Sequence, residues 1–323
     1  MASFRGKFEA GLSRRGITVT HQAGERCDAI LVIGGTRNLV PLWRARRRGV
    51  RIVQRLDGIN WIQRRRNTGV RHYIRAEYGN LILALIRSRI ATAVLYQSEF
   101  TRRWWNEWYG RQASAWSVVH NGVDLEVYQP HGAGEIPENG CRLLVVEGSL
   151  GGGYDMGLEN AVRLGEMLTK QHGVETQVMV VGKITAQHKA TVQSRARIPV
   201  VFAGAVPRER IPDINRSAHL LFSADLNPAC PNSVIEALAC GTPVVGFDTG
   251  ALRELVPETC GRIVPYGGDP WKLETPDLPG LAGACMDVLR DRLRFSRAAR
   301  AHAEEDLGLD KMMEGYLHAL LEA

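Results

Sequence analysis

At 323 residues, with 45% hydrophobic side chains and 34 glycines, the chain is long enough for two ordinary α/β domains and too apolar to be disordered. No apolar run approaches the roughly 18 residues of a transmembrane helix, and the basic N-terminus has no signal-peptide core, so a cytoplasmic protein is expected. The net charge of +7 is unevenly divided: residues 1–130 hold 22 Lys+Arg against 9 Asp+Glu, whereas the remainder holds 19 against 25.

KFEAGLSRRG (7–16) predicts an amphipathic helix ended by Gly16, and ITVTHQ (17–22) a short strand. DAILVIGG (28–35) predicts a buried strand running into a glycine turn, followed by the helix NLVPLWRARRRG (38–49). RIVQRLDG (51–58) is the next strand, and its C-terminal edge delivers Asp57 and Asn60. A long helix over 71–91 and the strand AVLYQS (93–98) complete this half. Residues 111–141 carry Pro, Gly and polar turn signals without periodicity, which places the linker there. A second alternation follows, with strands at 142–147, 176–182, 199–203, 218–223 and 242–247 and helices at 154–171, 208–216 and 231–240. Helices at about 278–292, 294–305 and 309–322 close the chain. Such alternation predicts parallel, doubly wound sheets, which bind ligands beyond the carboxyl ends of their strands.

The six cysteines (27, 141, 230, 240, 260 and 285) are scattered, with no C-x-x-C pair, so reduced thiols are expected and not a disulfide or zinc framework. Cys230 has no histidine close in sequence and reads as a small buried hydrophobe before it reads as a nucleophile.

The densest chemistry lies in NPACPNSVIEALACGTPVVGFDTGALRE (227–254). Pro231 suits a first helical turn, where a missing N–H costs nothing. Asn232 and Ser233 then offer free N–H groups at the positive end of a helix dipole, a seat for phosphate. Glu236 follows about a turn later and suits the paired hydroxyls of a ribose. Gly241 closes the helix, and TPVVGF (242–247) reads as a buried parallel strand.

This run resembles the signature of retaining glycosyltransferases of family 4, in the group called glycosyl transferases group 1, which have the two-domain GT-B fold. Further segments agree in order: YQSEFTRRWW (96–105), HNGVDLEVYQP (120–130), RLLVVEGSLGGGYDMG (142–157) and VVFAGAVPRERIP (200–212). The resemblance implies two Rossmann-like parallel-sheet domains facing a cleft. An acceptor-side domain would span 1–127, with the C-terminal helix 309–323 packing back on it, and a donor domain 128–308. It further implies transfer of a hexose from a nucleotide-diphosphate sugar such as a UDP-sugar, with retention, to a lipid-linked sugar, a polysaccharide or a small hydroxylated metabolite. No metal or other cofactor is implied, since GT-B enzymes use helix N-termini and basic side chains on the leaving diphosphate.

The chain departs from this pattern in places. Glu236 matches the second glutamate of the family's E-x7-E motif, the ribose ligand, but the first falls on Pro228. The arginine and lysine of the phosphate loop are replaced by Ser149 and Met156, leaving Gly151, Gly152 and Gly153 as a backbone nest for an anion. Lys183 and Arg208, on loops after strands, are candidates for the missing charge, against the plainer reading of solvated surface. Asp57 is the candidate to orient or deprotonate an acceptor hydroxyl, against a capping role. His120 reads as a hinge residue. The family's opening strand also has no counterpart: MASFRG supplies only the end of its turn, so either the start is truncated or the first sheet lacks a central strand whose loss would expose its neighbours' edges.

RARRRGVR (44–51) and RRR (64–66), with Trp43, Trp61, Trp104, Trp105 and Trp108 near in sequence, suit contact with an anionic membrane surface, a phosphorylated lipid or nucleic acid. The plain alternative is an arginine-rich solvated face. Nucleic-acid binding has the charge but no RRM, KH or zinc-finger pattern. A catalytically silent GT-B protein, binding nucleotide, glycan or a catalytic partner, is the alternative to an enzyme.

Overall fold

The structure, a computed structural model, describes residues 2–22, 24–151 and 155–321. Gly152 and Gly153 of the expected phosphate nest lie outside the described residues. The chain forms two compact units, Met1–Gly122 with Leu309–Ala323, and Val123–Gly308.

The first unit runs α1 (Ala2–Arg14), β1 (Ala29–Ile33), α2 (Leu39–Arg47), β2 (Arg51–Leu56), α3 (Val70–Leu85), β3 (Ala93–Tyr96), α4 (Glu99–Tyr109) and β4 (Ala115–Val118). The strands form one parallel sheet in the order β1-β2-β3-β4. Gly16, at φ +71°, ends α1 through Ile17 N–H donating to the Leu12 carbonyl. One sheet face packs on α1 and on a helix from the far end of the chain, with Phe4, Phe8 and Leu12 meeting Val53, Leu95, Met313 and Tyr316. The other face is covered by α2 and the π-helical turn Ile86–Ile90 that follows α3, through Val32, Leu42, Ala45, Ile52, Ile86 and Ile90. Arg55 is buried on the α1 side of the sheet. Its guanidinium donates to Tyr316 Oη and Asn121 Oδ1, each at 2.8 Å, and lies 4.1 Å from the Phe4 ring centre.

Residues 17–22 are irregular instead of the expected strand, and the Thr20 hydroxyl accepts the Gln22 N–H. Such local side-chain bonding competes with ladder pairing. β1 is therefore an edge strand, beside an open groove of about 870 Å³ lined by Phe8, Leu12, Ile17, Ile30 and Leu320 among others. Residues 115–118, read from sequence as linker, form β4. It has four residues, and Ala115 and Trp116 are exposed, so no buried alternation marked it.

The second unit runs β5 (Cys141–Ser149), α5 (Met156–His172), β6 (Thr176–Lys183), α6 (Ala186–Arg195), β7 (Val200–Gly204), α7 (Ile211–Arg216), β8 (Leu220–Phe222), α8 (Asn232–Ala239), β9 (Val244–Phe247), α9 (Leu252–Leu255), β10 (Gly261–Val264), α10 (Leu278–Arg290) and α11 (Arg292–Asp306). The last helix, α12 (Leu309–Leu321), belongs to the first unit. The sheet is parallel, ordered β10-β9-β8-β5-β6-β7, so the chain builds outward from β5 first on one side and then on the other. The order reverses between β5 and β8, where an open α/β sheet holds its ligand crevice. Two contacts at this point demand glycine. A Cβ on Gly157, in the first turn of α5, would lie 2.1 Å from the Ala224 carbonyl oxygen; one on Gly182 would lie 2.0 Å from that of Glu147.

All six cysteines are free thiols, and all but Cys27 are buried. Burial pushes the thiols of Cys141 and Cys240 up to about 12, so both are inert at neutral pH.

Candidate functional site

The site of the second unit is built on four loops at the carboxyl ends of β5, β6, β7 and β8 and on the start of α8. Beyond a bulge after Val146, Ser149 pairs in register with Lys183, and Leu150 N–H donates to the Lys183 carbonyl at 2.9 Å. The strand pairing thus brings Ser149 and Lys183 together, both exposed, with Gly151 just beyond. Pro231, at φ −71° and ψ 119°, is the residue before α8 and not a member of its first turn; Asn232 and Ser233 open the helix. Pro231 gives that start no side-chain cap. The leading N–H groups of such a helix point out of it with a partial positive charge, and an anion can satisfy them.

Glu236 lies on the next turn and is 8% exposed. Arg208, in the turn Arg208–Arg210 before α7, donates from Nη2 to Glu236 Oε1 at 3.3 Å. Two residues read separately from sequence, a ribose ligand and a stand-in cation, are therefore an ion pair. Tyr128 joins them. Arg300 holds its backbone in place by donating to the carbonyls of Tyr128 at 2.7 Å and Ala239, at the end of α8, at 2.9 Å. The Tyr128 hydroxyl faces Arg208 and Glu236 without a hydrogen bond of full geometry. Burial, and then the Glu236 charge, push it up to about 12. Arg208 stays cationic because Tyr128 and Glu236 outweigh its burial.

The loop after β8 is constrained. Asn227 adopts φ +58°, its side-chain Nδ2 is buried without a partner among the described residues, and Pro228 is buried. Gly250, at φ +61°, lies so close that a Cβ there would sit 2.4 Å from the Pro228 ring, and Ala251 N–H donates to the Pro228 carbonyl at 2.8 Å. Pro228 thus packs against the turn before α9.

Two acidic residues escaped the sequence reading. Glu147, at the end of β5, and Asp225, after β8, line one cavity of about 140 Å³ with Ser149, Leu150 and Ala224. Burial and the neighbouring Asp225 charge hold the Glu147 carboxyl well above the usual range, and burial pushes Asp225 up to about 6. The loop of Ser149 and Leu150 therefore flanks a carboxyl pair that holds protons more tightly than free acids. Among the described residues, no three His, Cys, Asp or Glu side chains converge as a metal set.

Asp57 lies in the first unit, just past β2. Its carbonyl accepts Trp105 Nε1 at 2.8 Å, and burial raises its carboxyl against the pull of Arg55. Asn60 is tied to Asn80 by its backbone N–H at 3.0 Å.

Two parallel-sheet α/β units of this build define the GT-B fold. Residues 144–291, most of the second unit, match the family described as Glycosyl transferases group 1. The chain is 29% identical over 109 residues to 2-deoxystreptamine N-acetyl-D-glucosaminyltransferase of Streptomyces fradiae, covering 33% of this chain and 24% of that protein. It is 26% identical over 236 residues to D-inositol 3-phosphate glycosyltransferase of Acidothermus cellulolyticus, covering 67% and 50%. The chain thus spans from about a quarter to half the length of these relatives. Among solved structures, sucrose-phosphate synthase of Thermosynechococcus elongatus superposes with a TM-score of 0.69 at 17% identity, covering 97% of this chain and 76% of that one. HepE of Anabaena, solved with UDP-glucose, gives 0.65 at 16% identity, covering 91% and 79%.

Proposed function

We propose that the protein is a glycosyltransferase that moves a sugar, a hexose or a close relative, from a nucleotide-diphosphate donor to a hydroxyl acceptor with retention at the anomeric carbon. The observation that carries this reading is the Glu236–Arg208 pair beside the uncapped start of α8, in the segment that matches the glycosyltransferase family. In this reading Glu236 takes the ribose hydroxyls, and the N–H groups of Asn232 and Ser233 take the diphosphate. Arg208 and Lys183 supply the positive charge that Ser149 and Met156 lack. No metal is required if these groups together balance the leaving diphosphate. The second unit binds the donor and the first the acceptor, where Asp57 orients or deprotonates the hydroxyl. The acceptor classes are a lipid-linked sugar, a growing polysaccharide or a small hydroxylated metabolite, and UDP is the first nucleotide to try because a structural neighbour, HepE, was solved with UDP-glucose. A cytoplasmic protein peripheral to the inner face of the membrane would meet all three classes.

A second reading, a silent GT-B protein that binds nucleotide or glycan, is favoured by Pro228, Ser149 and Met156. A panel of UDP-, GDP- and ADP-sugars, each followed for binding, hydrolysis and transfer, separates the two. Transfer or slow donor hydrolysis establishes the enzyme. Binding with no turnover over a broad acceptor panel establishes the silent reading, and no binding of any nucleotide sugar overturns the enzyme and the nucleotide-binding form of the silent reading.

A further inference from the structure

Helix α3 is apolar on two opposite faces. Its inner face packs on the first unit, with Ala76 and Asn80 buried and Ile82 packed with the cluster under α2. Its outer face is in solvent and still apolar: Val70, Ile74, Tyr78, Leu81 and Leu85 are 76, 62, 47, 63 and 40% exposed. At 3.6 residues per turn these five positions fall within an arc of about 80°, diametrically opposite the buried side. The exposed Tyr73 widens the stripe. The neighbouring α2, whose Leu42 and Ala45 pack on Ile82 and Ile86, exposes Val40 and Trp43. The two helices are tied at the surface as well, since the Arg37 guanidinium lies 5.9 Å from the Tyr78 ring centre and the Arg46 guanidinium donates to the Arg89 carbonyl. A continuous line of apolar side chains on one helix face is unlike the scattered exposed hydrophobics of an ordinary surface.

The surrounding charge is of one sign. Residues 36–90 hold 14 arginines and no lysine, against two acids, Asp57 and Glu77. Glu77 is already paired with Arg64 at 2.6 Å, and Asp57 is half-buried. Self-association about a two-fold axis would set this arginine-rich surround against itself, which costs free energy. An anionic bilayer offers both complements at once: phosphates for the guanidinium groups and an acyl boundary for the stripe. Arginine stems can lie along apolar surface with their heads at the phosphates, and tyrosine is at home at that depth.

We propose that the outer face of α3, with Val40 and Trp43 of α2, docks on the surface of an anionic lipid bilayer. The inference goes beyond glycosyl transfer and needs no particular donor or acceptor, so it can fail while that reading stands. It also moves the contact away from most of the tryptophans that pointed to it in sequence, because Trp61, Trp104 and Trp105 are 3, 3 and 0% exposed.

The test is co-sedimentation of the full chain with vesicles of phosphatidylcholine alone and of phosphatidylcholine mixed with phosphatidylglycerol, with oligomeric state read by light scattering. Wild type is expected to pellet with the anionic vesicles only, and less so as salt rises. I74D/L81D, at positions already in solvent, should fold normally by circular dichroism and bind at least about tenfold more weakly, since both apolar anchors are lost. R71E/R75E should weaken binding to anionic vesicles, and Leu293→Asp, an exposed apolar site of the second unit, should bind as wild type does. No pelleting of wild type, or unchanged binding of folded I74D/L81D, would overturn the proposal. So would a wild-type dimer that I74D/L81D converts to monomer, which would make the stripe a protein interface.

Discussion

Replacing Asp225 by Asn should stabilise the protein at neutral pH and do nothing in acid. The carboxyl sits at about 6 in the folded chain against 3.8 for a free side chain, because burial penalises its charge. Its neighbour Glu147 is raised in the same sense by burial and by the Asp225 charge. An acid whose folded value is raised binds a proton in the native state that the unfolded chain has already released. Stability therefore falls as pH rises from about 4 to about 6, and the whole penalty is present above that window. A gap of about 2 pH units corresponds to about 3 kcal/mol. The side chain is partly in contact with solvent, so a gain of about 1–3 kcal/mol at pH 7.5 is the range to expect. Asn keeps the size and an oxygen that can accept the Leu226 N–H. Urea unfolding of wild type and variant at pH 7.5 and pH 4 measures the difference. Far-UV circular dichroism is the proper probe, because six of the seven tryptophans lie in the first unit and would report on the wrong half. Glu147→Gln should act in the same direction, and the double variant should gain less than the sum, since removing either charge relieves the other. Equal gains at both pH values, or a loss at pH 7.5, would refute the reasoning.

Glu236→Gln should weaken nucleotide binding by roughly 1.5–3 kcal/mol in calorimetry, the scale for hydrogen bonds to a charged acceptor; unchanged affinity would confine Glu236 to holding Arg208. Gly157→Val should lower the free energy of unfolding in urea by about 1–3 kcal/mol or more, because its Cβ would press on the Ala224 carbonyl and must push α5 off the loop after β8. His219 is held down at about 4 by burial, then by Arg292 and Arg142, and its Nδ1 accepts the Arg142 N–H at 3.0 Å. The unfolded chain takes up that proton below about 6.5 and the native state does not until about 4, so stability drops as pH falls through this window. At pH 5, His219→Asn should have lost up to about 2 kcal/mol less than wild type relative to pH 7.5.

Much of the fold could be read from the pattern of strands and helices, since β5, β6, β8 and β9 are nearly continuous apolar runs of buried parallel strands. The elements that escaped were those without such a pattern. Helix α6 buries only Val192, and in β10 only Gly261 is buried, so neither advertises an apolar face. The start of α8 and Glu236 were visible because their spacing is local. The Glu147–Asp225 pair was not, because the two lie far apart in the chain and meet only when the sheet order reverses between β5 and β8. The role of Pro228 was invisible for the same reason, since its partner is the turn at Gly250. The tryptophans misled because nearness to arginine in sequence says nothing about which side of a helix is buried: Trp104 and Trp105 turn inward on α4, while the apolar residues left in solvent belong to α3.

Helix α12 sets the order in which the two halves can be completed. The first unit needs Met313 and Tyr316 to close over Phe4, Phe8 and the buried Arg55, yet the ribosome makes them only after every residue of the second unit. The second unit is one continuous stretch and can fold as soon as it emerges. Until then the early strands wait with one face open, held by α1 alone, which is when a chaperone or a protease would find them. The half synthesised first is thus the half finished last.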